Sequence, residues 1–222
     1  MEAKRKIDTR QLVTMAVLSA IAYVVMLLIH IKLVPGMEFL TYDPKDVIIT
    51  MGGFIFGPAA VLMMSFVVSF FEMITVSTTG FIGMAMNMIA TFAFAGTAAL
   101  IYKRQRSMKG AITGLVTGCL TMTAVMLIWN YFLTPIYIGI PRAAVVPMLL
   151  PGILPFNLIK SALNAGLTLL IYKPLVIGLR QANLLPARAQ GEQDASKINI
   201  GVVLGAVVAL AVCIGIVLFL NK

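Results

Sequence analysis

Four long stretches without a charged residue decide what this chain can fold into. They cover residues 11–31, 73–102, 110–141 and 198–221 of the 222-residue sequence. A helix needs about 20 apolar residues to cross a bilayer, and each stretch is long enough. None shows the alternating pattern of a membrane β-strand, about ten residues long. With 60% hydrophobic and 11% charged residues, the sequence predicts an all-α integral membrane protein.

The segment 47–71 decides how many helices precede the first basic loop. It carries no charge, but Gly52, Gly53, Gly57 and Pro58 interrupt it, so it is either one kinked span or two helices. Two helices place the basic loop 103–109 on the same side as the N-terminus, as the positive-inside rule requires. Two helices are therefore favoured, although a helix over 46–57 is only about 18 Å long and must be shielded by its neighbours.

The distribution of the basic residues between the two sides of the membrane supports a bundle of six helices followed by a seventh. Of 17 Lys and Arg residues, twelve fall on the N-terminal side of the membrane, four on the other side, and Lys160 within a span. The twelve are Lys4, Arg5, Lys6, Arg10, Lys103, Arg104, Arg106, Lys109, Lys173, Arg180, Arg188 and Lys197, and the four are Lys32, Lys45, Arg142 and Lys222. We expect a multi-pass membrane protein with a cytoplasmic N-terminus and an outer C-terminus. The net charge of +9 then reflects orientation in the bilayer, and no nucleic-acid partner is expected.

A polar interruption divides the chain near its C-terminal end. Residues 181–197 are the only polar stretch of low hydrophobicity and are expected to form a cytoplasmic linker. The expected organisation is a six-helix membrane domain over 1–180, the linker, and an additional transmembrane helix within 198–222. For this last helix the sequence indicates packing or anchoring.

Two segments are expected to lie outside the membrane. Residues 33–46 are interrupted by Pro35, Gly36 and Pro44 and carry carboxylates. Residues 134–155 contain five prolines, at 135, 141, 147, 151 and 155. Proline disrupts the helix interior, so this second segment is predicted to be an outer loop that can cover a site.

A polar face marks the helix expected at Leu149–Tyr172. Asn157, Lys160 and Asn164 follow one another at i, i+3 and i+7, which places them on one side of a helix. A lysine within a span costs about 2.5–3.5 kcal/mol on insertion scales, so such residues usually face a bundle interior or a cavity. Lys160 could instead extend to the interface, but two asparagines on the same face favour a ligand or a polar helix contact.

Motifs of common enzymes are absent from the sequence. It lacks GxxxxGK[ST], HExxH and GxSxG, and no cysteine and histidine spacing indicates a metal site. Glu72, near a helix end, is the only carboxylate expected within a span. We therefore expect no enzyme, no metal and no cofactor. Amides and one cation among Met, Phe and Tyr side chains suit a flat, mostly apolar ligand with a hydrogen-bonding edge.

Six sequence blocks resemble the riboflavin-binding S component of energy-coupling factor (ECF) vitamin transporters. They are FLTYDPKD, GGFIFGP, GFIGMAMN, IYK, NYFLTPIYIGIP and LLPGILPFNLIKSALN, in this order within residues 11–180. The resemblance implies a six-helix subunit of the bacterial cell membrane that captures riboflavin from outside. It also implies docking on a membrane coupling (T) subunit with two ATP-binding subunits, in which ATP hydrolysis takes place.

The resemblance further implies which residues form the sites. The implied riboflavin contacts are Thr41, Tyr42, Asp43, Gly83, Asn87, Asn130, Asn157, Lys160 and Asn164. The implied docking positions are the small residues Ala16 and Ala20 on the first helix, which permit close helix packing. The seventh helix departs from the six of the family, which leaves its role open.

Other functions stay open at this point. An S component for another vitamin, such as thiamin, needs an acidic or aromatic site for a cation, and Lys160 argues against it. A structural or assembly protein of the membrane would use the amides only to tie helices together. Binding of flavin mononucleotide is also open, because Lys45 and Arg142 are placed on the outer side in this topology and could contact a phosphate.

Overall fold

The computed structural model describes residues 8–34, 37, 40–77, 79–184 and 200–220, most of which are helical. The helices are α1 (Thr9–Leu28), α2 (Lys45–Phe56), α3 (Pro58–Thr75), α4 (Gly80–Thr91), α5 (Thr97–Gln105), α6 (Met108–Ile138), α7 (Arg142–Met148), α8 (Leu154–Gln181) and α9 (Ile200–Leu220). Two short strands, β1 (Ile31–Lys32) and β2 (Thr41–Tyr42), pair antiparallel between α1 and α2. The predicted linker lies mostly outside the described residues.

Six helical units within the described residues are long and apolar enough to cross a bilayer. They are α1, α3, α4 joined to α5, α6, α7 joined to α8, and α9. The two joined pairs continue through π-helical segments at Phe92–Gly96 and Leu149–Ile153. Together with α2, these units form the predicted six-helix bundle and its additional C-terminal helix.

Helix α2 is the short, shielded helix that the sequence predicted. Its 12 residues span about 18 Å. All residues from Lys45 to Phe54 are buried, and α1, α3, α5 and α8 pack around them. Neighbouring helices, and not lipid, therefore surround α2.

A glycine and a proline separate α2 from α3, as expected for two helices. Gly57 has φ +95° and ψ 178°, a conformation that is essentially restricted to glycine. Pro58 follows at the start of α3, where its missing N–H leaves no helical hydrogen bond unmade. The chain can therefore reverse direction between two closely packed helices.

The prediction of an outer loop over 134–155 is wrong, because most of this segment is helical. Only Gly139, Ile140 and Pro141 separate α6 from α7. Pro141 directly precedes α7, where an N–H has no intrahelical partner. Pro135 and Pro147 lie inside α6 and α7, and Pro155 lies in α8 directly after the π-helical segment. Pro151 lies in the π-helical segment, a geometry that accommodates local changes in helical hydrogen bonding.

Two hydrophobic clusters fill the bundle. The larger one contains residues from each of the helices α1 through α6 and includes the fully buried Leu18, Ile49, Val61 and Phe94. The second, here called the loop cluster, contains buried residues from the segment before α2, from α8 with its preceding π-helical segment, and from α9. They are Leu33, Val34, Leu40, Tyr42, Ile153, Phe156, Ile159, Leu163 and Cys213, with Met37, Leu127, Leu149, Ala162, Leu210 and Val217 packed against them.

Candidate functional site

A cavity of about 210 Å³ lies between the bundle and the described residues of the segment 29–44, which are 29–34, 37 and 40–44 and are called here the cavity loop. The polar lining is His30, Thr41, Asp43, Glu72, Ser77, Thr79, Asn87, Asn157 and Lys160. The apolar lining is Leu40, Val76, Met86, Ala90, Met122, Met126 and Phe156. The cavity thus combines apolar walls with several convergent polar groups, as small-molecule sites do.

A chain of buried ionic contacts borders the cavity. Lys160 Nζ donates to Asp43 Oδ2 at 3.1 Å, and Lys45 Nζ lies 3.6 Å from the same oxygen. Lys45 Nζ also donates to Glu72 Oε2 at 2.6 Å, while the amide of Asn87 donates to Glu72 Oε1 at 2.8 Å. These contacts connect the cavity loop with α2, α3, α4 and α8. Pairing makes the burial of these charges tolerable, since an isolated buried charge is very costly.

Asp46 forms a second buried polar group beside this chain. Its carboxylate accepts hydrogen bonds from Thr91 Oγ1 at 2.6 Å and from Asn164 Nδ2 at 3.4 Å. The hydroxyl of Tyr42 donates to Asn164 Oδ1 at 3.2 Å. Asn164 therefore holds both the cavity loop and the start of α2 against α8.

The surroundings of Asp43 and Tyr42 shift the pKa values of these two side chains in opposite directions. Burial disfavours the ionised carboxylate of Asp43, but the ammonium groups of Lys160 and Lys45 outweigh this effect and lower its pKa to about 2. Burial, together with the carboxylates of Asp43 and Asp46, raises the pKa of Tyr42 well above its usual value. Asp43 is therefore ionised and Tyr42 is a neutral hydrogen-bond donor at neutral pH.

Five of the nine predicted site residues line the cavity directly. They are Thr41, Asp43, Asn87, Asn157 and Lys160. Asn157 and Lys160 are 1% and 6% exposed, so their helix face points into the bundle and not toward lipid. The amide of Asn157 donates to the backbone oxygen of Ile153 at 2.7 Å, which leaves its Oδ1 atom available as an acceptor.

The other four predicted residues lie behind the lining. Tyr42 and Asn164 hydrogen-bond to each other, as described above. Gly83 is buried in α4, and a Cβ atom there would collide with the side chain of Thr79. Asn130 is fully buried; its amide donates to the backbone oxygen of Met126 at 2.7 Å and its Oδ1 accepts from Thr134 at 2.8 Å.

Lys45 and Asp46 were expected in an outer loop, and this expectation is wrong. Both are buried, at 1% exposure each, because α2 begins at Lys45 directly after Pro44. The sequence did contain a signal, since a proline and an acidic residue are typical of the start of a helix. Nothing in the local sequence indicated that His30, Ser77 and Thr79 would meet at the same cavity.

The two basic residues considered for phosphate contact do not line the cavity. Lys45 is paired with Glu72 and Asp43. The guanidinium of Arg142 lies 5.2 Å from the ring centre of Tyr131 and 5.5 Å from that of Phe132, an arrangement typical of a cation–π contact.

A separate groove of about 520 Å³ runs between α1 and α3. Its lining is almost entirely apolar and consists of Leu12, Met15, Ala16, Ser19, Ala20, Tyr23, Met63, Met64, Val67, Val68 and Phe71. Ala16 and Ala20, the predicted docking positions, are exposed in this groove. None of the lining residues belongs to α9, so the additional helix leaves the groove open.

Comparison with known proteins agrees with this architecture. Residues 10–172 match the family described as ECF transporter, substrate-specific component. The riboflavin transporter RibU of Staphylococcus aureus (strain TCH60) is 34% identical over 191 residues, which cover 82% of this chain and 100% of the relative. The riboflavin transporter FmnP of Bacillus subtilis (strain 168) is 31% identical over 188 residues, with 79% and 98% covered.

A solved structure gives the same result for the fold. It is the S component of a bacterial ECF transporter, it shares 34% identity, and it superimposes with a TM-score of 0.66 over 77% of this chain and 98% of that chain. The resemblance seen in the sequence blocks is thus confirmed. The chain is a multi-pass membrane protein that belongs to the family of ECF transporter substrate-specific components.

Proposed function

We propose that this chain captures riboflavin from outside the cell and, docked on an energy-coupling module, mediates its uptake. The cavity carries this proposal, because amide, ammonium and hydroxyl groups line it together with Met and Phe side chains. The relatives described above are riboflavin transporters. An S component is not an enzyme, and this chain contains no phosphate-binding loop of its own.

The chemistry of riboflavin matches both halves of the lining. The flat isoalloxazine ring suits the side chains of Met86, Met122, Met126 and Phe156, since sulfur and aromatic groups pack well on aromatic faces. Its uracil-like edge presents one donor between two carbonyl groups. The amide of Asn157 and the ammonium group of Lys160 can pair with such an edge or with the ribityl hydroxyls.

The charges at the cavity favour a neutral ligand over a cationic one such as thiamin. Asp43 and Glu72 are the carboxylates of the lining, and each already contacts an ammonium group, from Lys160 or Lys45. A cationic ligand would have to compete with these lysines. A neutral ring with hydrogen-bonding edges needs no such exchange.

The size of the cavity indicates that the cavity loop moves when the ligand enters. Sites for small molecules usually measure about 300–1,000 Å³, and this cavity measures about 210 Å³. The cavity loop contributes Leu40, Thr41 and Asp43 to the lining. An outward shift of this loop enlarges the space without disturbing the helices.

The partner proposed for the groove between α1 and α3 is the membrane coupling (T) subunit, with two ATP-binding subunits attached to it. Small side chains at Ala16 and Ala20 allow a helix of the partner to approach closely. The exposed Leu12 and Phe71 at 45% and 46% provide apolar area for the same contact. ATP hydrolysis then takes place in the partner subunits.

The proposed orientation places the cavity toward the outside. The basic residues Lys103 and Arg104 end the unit of α4 and α5, and the positive-inside rule assigns this end to the cytoplasm. The N-terminus is then cytoplasmic and the C-terminus is outside.

Riboflavin binding to the detergent-purified protein tests the function. Riboflavin fluorescence should be quenched in a saturable manner, at one ligand per chain. A flavin methylated at N3 lacks the donor of the uracil-like edge and should bind roughly 5- to 150-fold more weakly, because about 1–3 kcal/mol is lost when a buried group is left unpaired. Absence of saturable quenching, or tighter binding of thiamin than of riboflavin, would refute the proposal.

A further inference from the structure

Helix α9 packs against the bundle along one narrow seam. The shielded positions Val203, Ala206, Leu210, Cys213 and Val217 recur at alternating intervals of three and four residues. Such spacing keeps side chains on one face of a helix. The opposite face is exposed, with Leu204 at 64% and Val208 at 56%. Helix α9 thus contacts the bundle, chiefly α8, on one side and presents the other to lipid.

A glycine in α8 sets how closely the two helices approach. A Cβ atom at Gly166 would lie 3.0 Å from Cγ of Leu210 and 3.5 Å from the backbone oxygen of Ala206. Ala206 is only 4% exposed. The absence of a side chain at Gly166 therefore lets α9 lie directly on α8, two residues beyond Asn164.

The C-terminal half of α9 reaches the loop cluster. Cys213 is 8% exposed and belongs to this cluster, and Leu210 and Val217 pack against it. The cluster also contains Leu40 of the cavity loop and Phe156 of α8, both of which line the cavity. One continuous apolar contact thus extends from α9 to the ligand cavity.

The cavity loop needs such support, because a two-stranded hairpin is marginally stable by itself. Its ladder consists of two residue pairs, Ile31 with Tyr42 and Lys32 with Thr41. Polar contacts from Asp43 and Tyr42 to α8 fix one end of it. The apolar side chains of Leu33, Val34 and Leu40 are held by packing in the loop cluster.

We propose that α9 is a brace that holds the cavity loop over the ligand and thereby slows the release of riboflavin. This inference rests on the proposed function for its ligand, but the bracing contact itself exists without ligand. None of the described residues of α9 lines the cavity, so the helix acts through the loop, and the rate of riboflavin release reports its effect.

Two substitutions of the same kind in the full-length protein test the brace. Ala206→Phe places a large ring in the seam, whereas Ala211→Phe places it on the exposed face, on the same side of α9 as Leu204 and Val208. Release of bound riboflavin, followed as fluorescence recovery on dilution, should become about tenfold faster in A206F and stay within about twofold of the parent in A211F. Equal release from A206F and the parent, or equal acceleration in both variants, would overturn the inference.

A milder pair of variants covers the case in which A206F does not insert correctly. The double variant Leu210→Ala/Val217→Ala removes apolar groups from the seam. The double variant Leu204→Ala/Val208→Ala removes the same groups, one leucine and one valine side chain, from the exposed face. Faster riboflavin release from the first pair alone supports the brace, and equal release from the two pairs contradicts it.

Hydrogen exchange without ligand separates this inference from the proposed function. Backbone amides of Leu40 to Tyr42 should exchange faster in the seam variants than in the exposed-face variants. Unchanged exchange in this stretch would refute the brace. If exchange is faster in the seam variants than in the exposed-face variants but the parent protein binds no riboflavin, the proposed function fails while the bracing contact stands.

Discussion

The Nζ atom of Lys160 lies 3.1 Å from Oδ2 of Asp43, although 117 residues separate the two along the chain. Their side chains are 8% and 7% exposed. Lys160 belongs to α8 and Asp43 to the cavity loop, so this ion pair ties one wall of the cavity to its cover. A ligand that hydrogen-bonds to Lys160 also affects the position of the loop, and binding and closure are thereby coupled.

Replacing Lys160 with methionine should weaken riboflavin binding by roughly 10- to 150-fold. The substitution keeps an apolar chain of similar length but removes a charged donor, and hydrogen bonds to charged groups contribute about 1.5–3 kcal/mol. Fluorescence quenching titration measures the change. Leu158→Met is the matched control, because Leu158 lies on the same helix and is 40% exposed. Unchanged affinity in both Lys160→Met and Asn157→Ala would remove these residues from the site.

Replacing Lys45 with methionine should destabilise the protein by about 3 kcal/mol, the lower end of the range for a buried pair, because it leaves the partly buried carboxylate of Glu72 without its cation. Lys45 is 1% exposed and lies 2.6 Å from Glu72. Thermal unfolding in detergent measures the loss. Adding Glu72→Gln to the same chain removes the unpaired charge and should recover part of the stability. A double variant that is no more stable than Lys45→Met would contradict the assignment of this pair.

Riboflavin affinity should not follow the titration of Asp43 between pH 5 and pH 8. A carboxylate with a lowered pKa contributes stability that is fully present above its usual pKa of about 3.9. This contribution is lost only as the pH falls through about 2, so the pair with Lys160 persists over the whole physiological range. Quenching titrations at several pH values test this. A change of affinity with a midpoint between pH 5 and pH 7 that disappears in Asp43→Asn would show the prediction to be wrong.

Replacing both Ala16 and Ala20 with leucine should abolish riboflavin uptake by cells while leaving binding to the purified protein within about twofold of the parent. The larger side chains fill the groove between α1 and α3 and prevent close helix contact. The control is Ala59→Leu, an exposed alanine of α3 that does not line the groove. Normal uptake by the double variant would argue against docking at this groove.

The polar face of α8 could be predicted from the sequence because helical periodicity is a local property. Spacing alone placed Asn157, Lys160 and Asn164 on one side of a helix, and all three are buried in the bundle. Their individual partners could not be predicted. Lys160 contacts Asp43, and Asn164 contacts Asp46, which is 118 residues away in the sequence. Contacts between residues so far apart in the sequence depend on the packing of the whole bundle.

Charged residues and prolines near helix ends are the features whose structure the sequence did not predict. Lys45 and Asp46 were expected outside the membrane because charged residues are rarely buried without a partner. Their partners, Glu72 and Thr91, lie on other helices. The prolines from 135 to 155 were expected to exclude helix, yet three-dimensional packing and a π-helical segment accommodate them.

The short length of α2 affects how deep in the membrane the vitamin binds. The C-terminal end of α2 at Gly57 lies beside the side chain of Lys103, at the border of the bilayer that carries the basic loop. A helix of about 18 Å that starts there ends about 12 Å below the opposite border of a 30 Å hydrocarbon core. Asp43, two residues before α2 begins, lines the cavity. In the proposed orientation, a vitamin captured there from outside has therefore already entered the depth of the membrane.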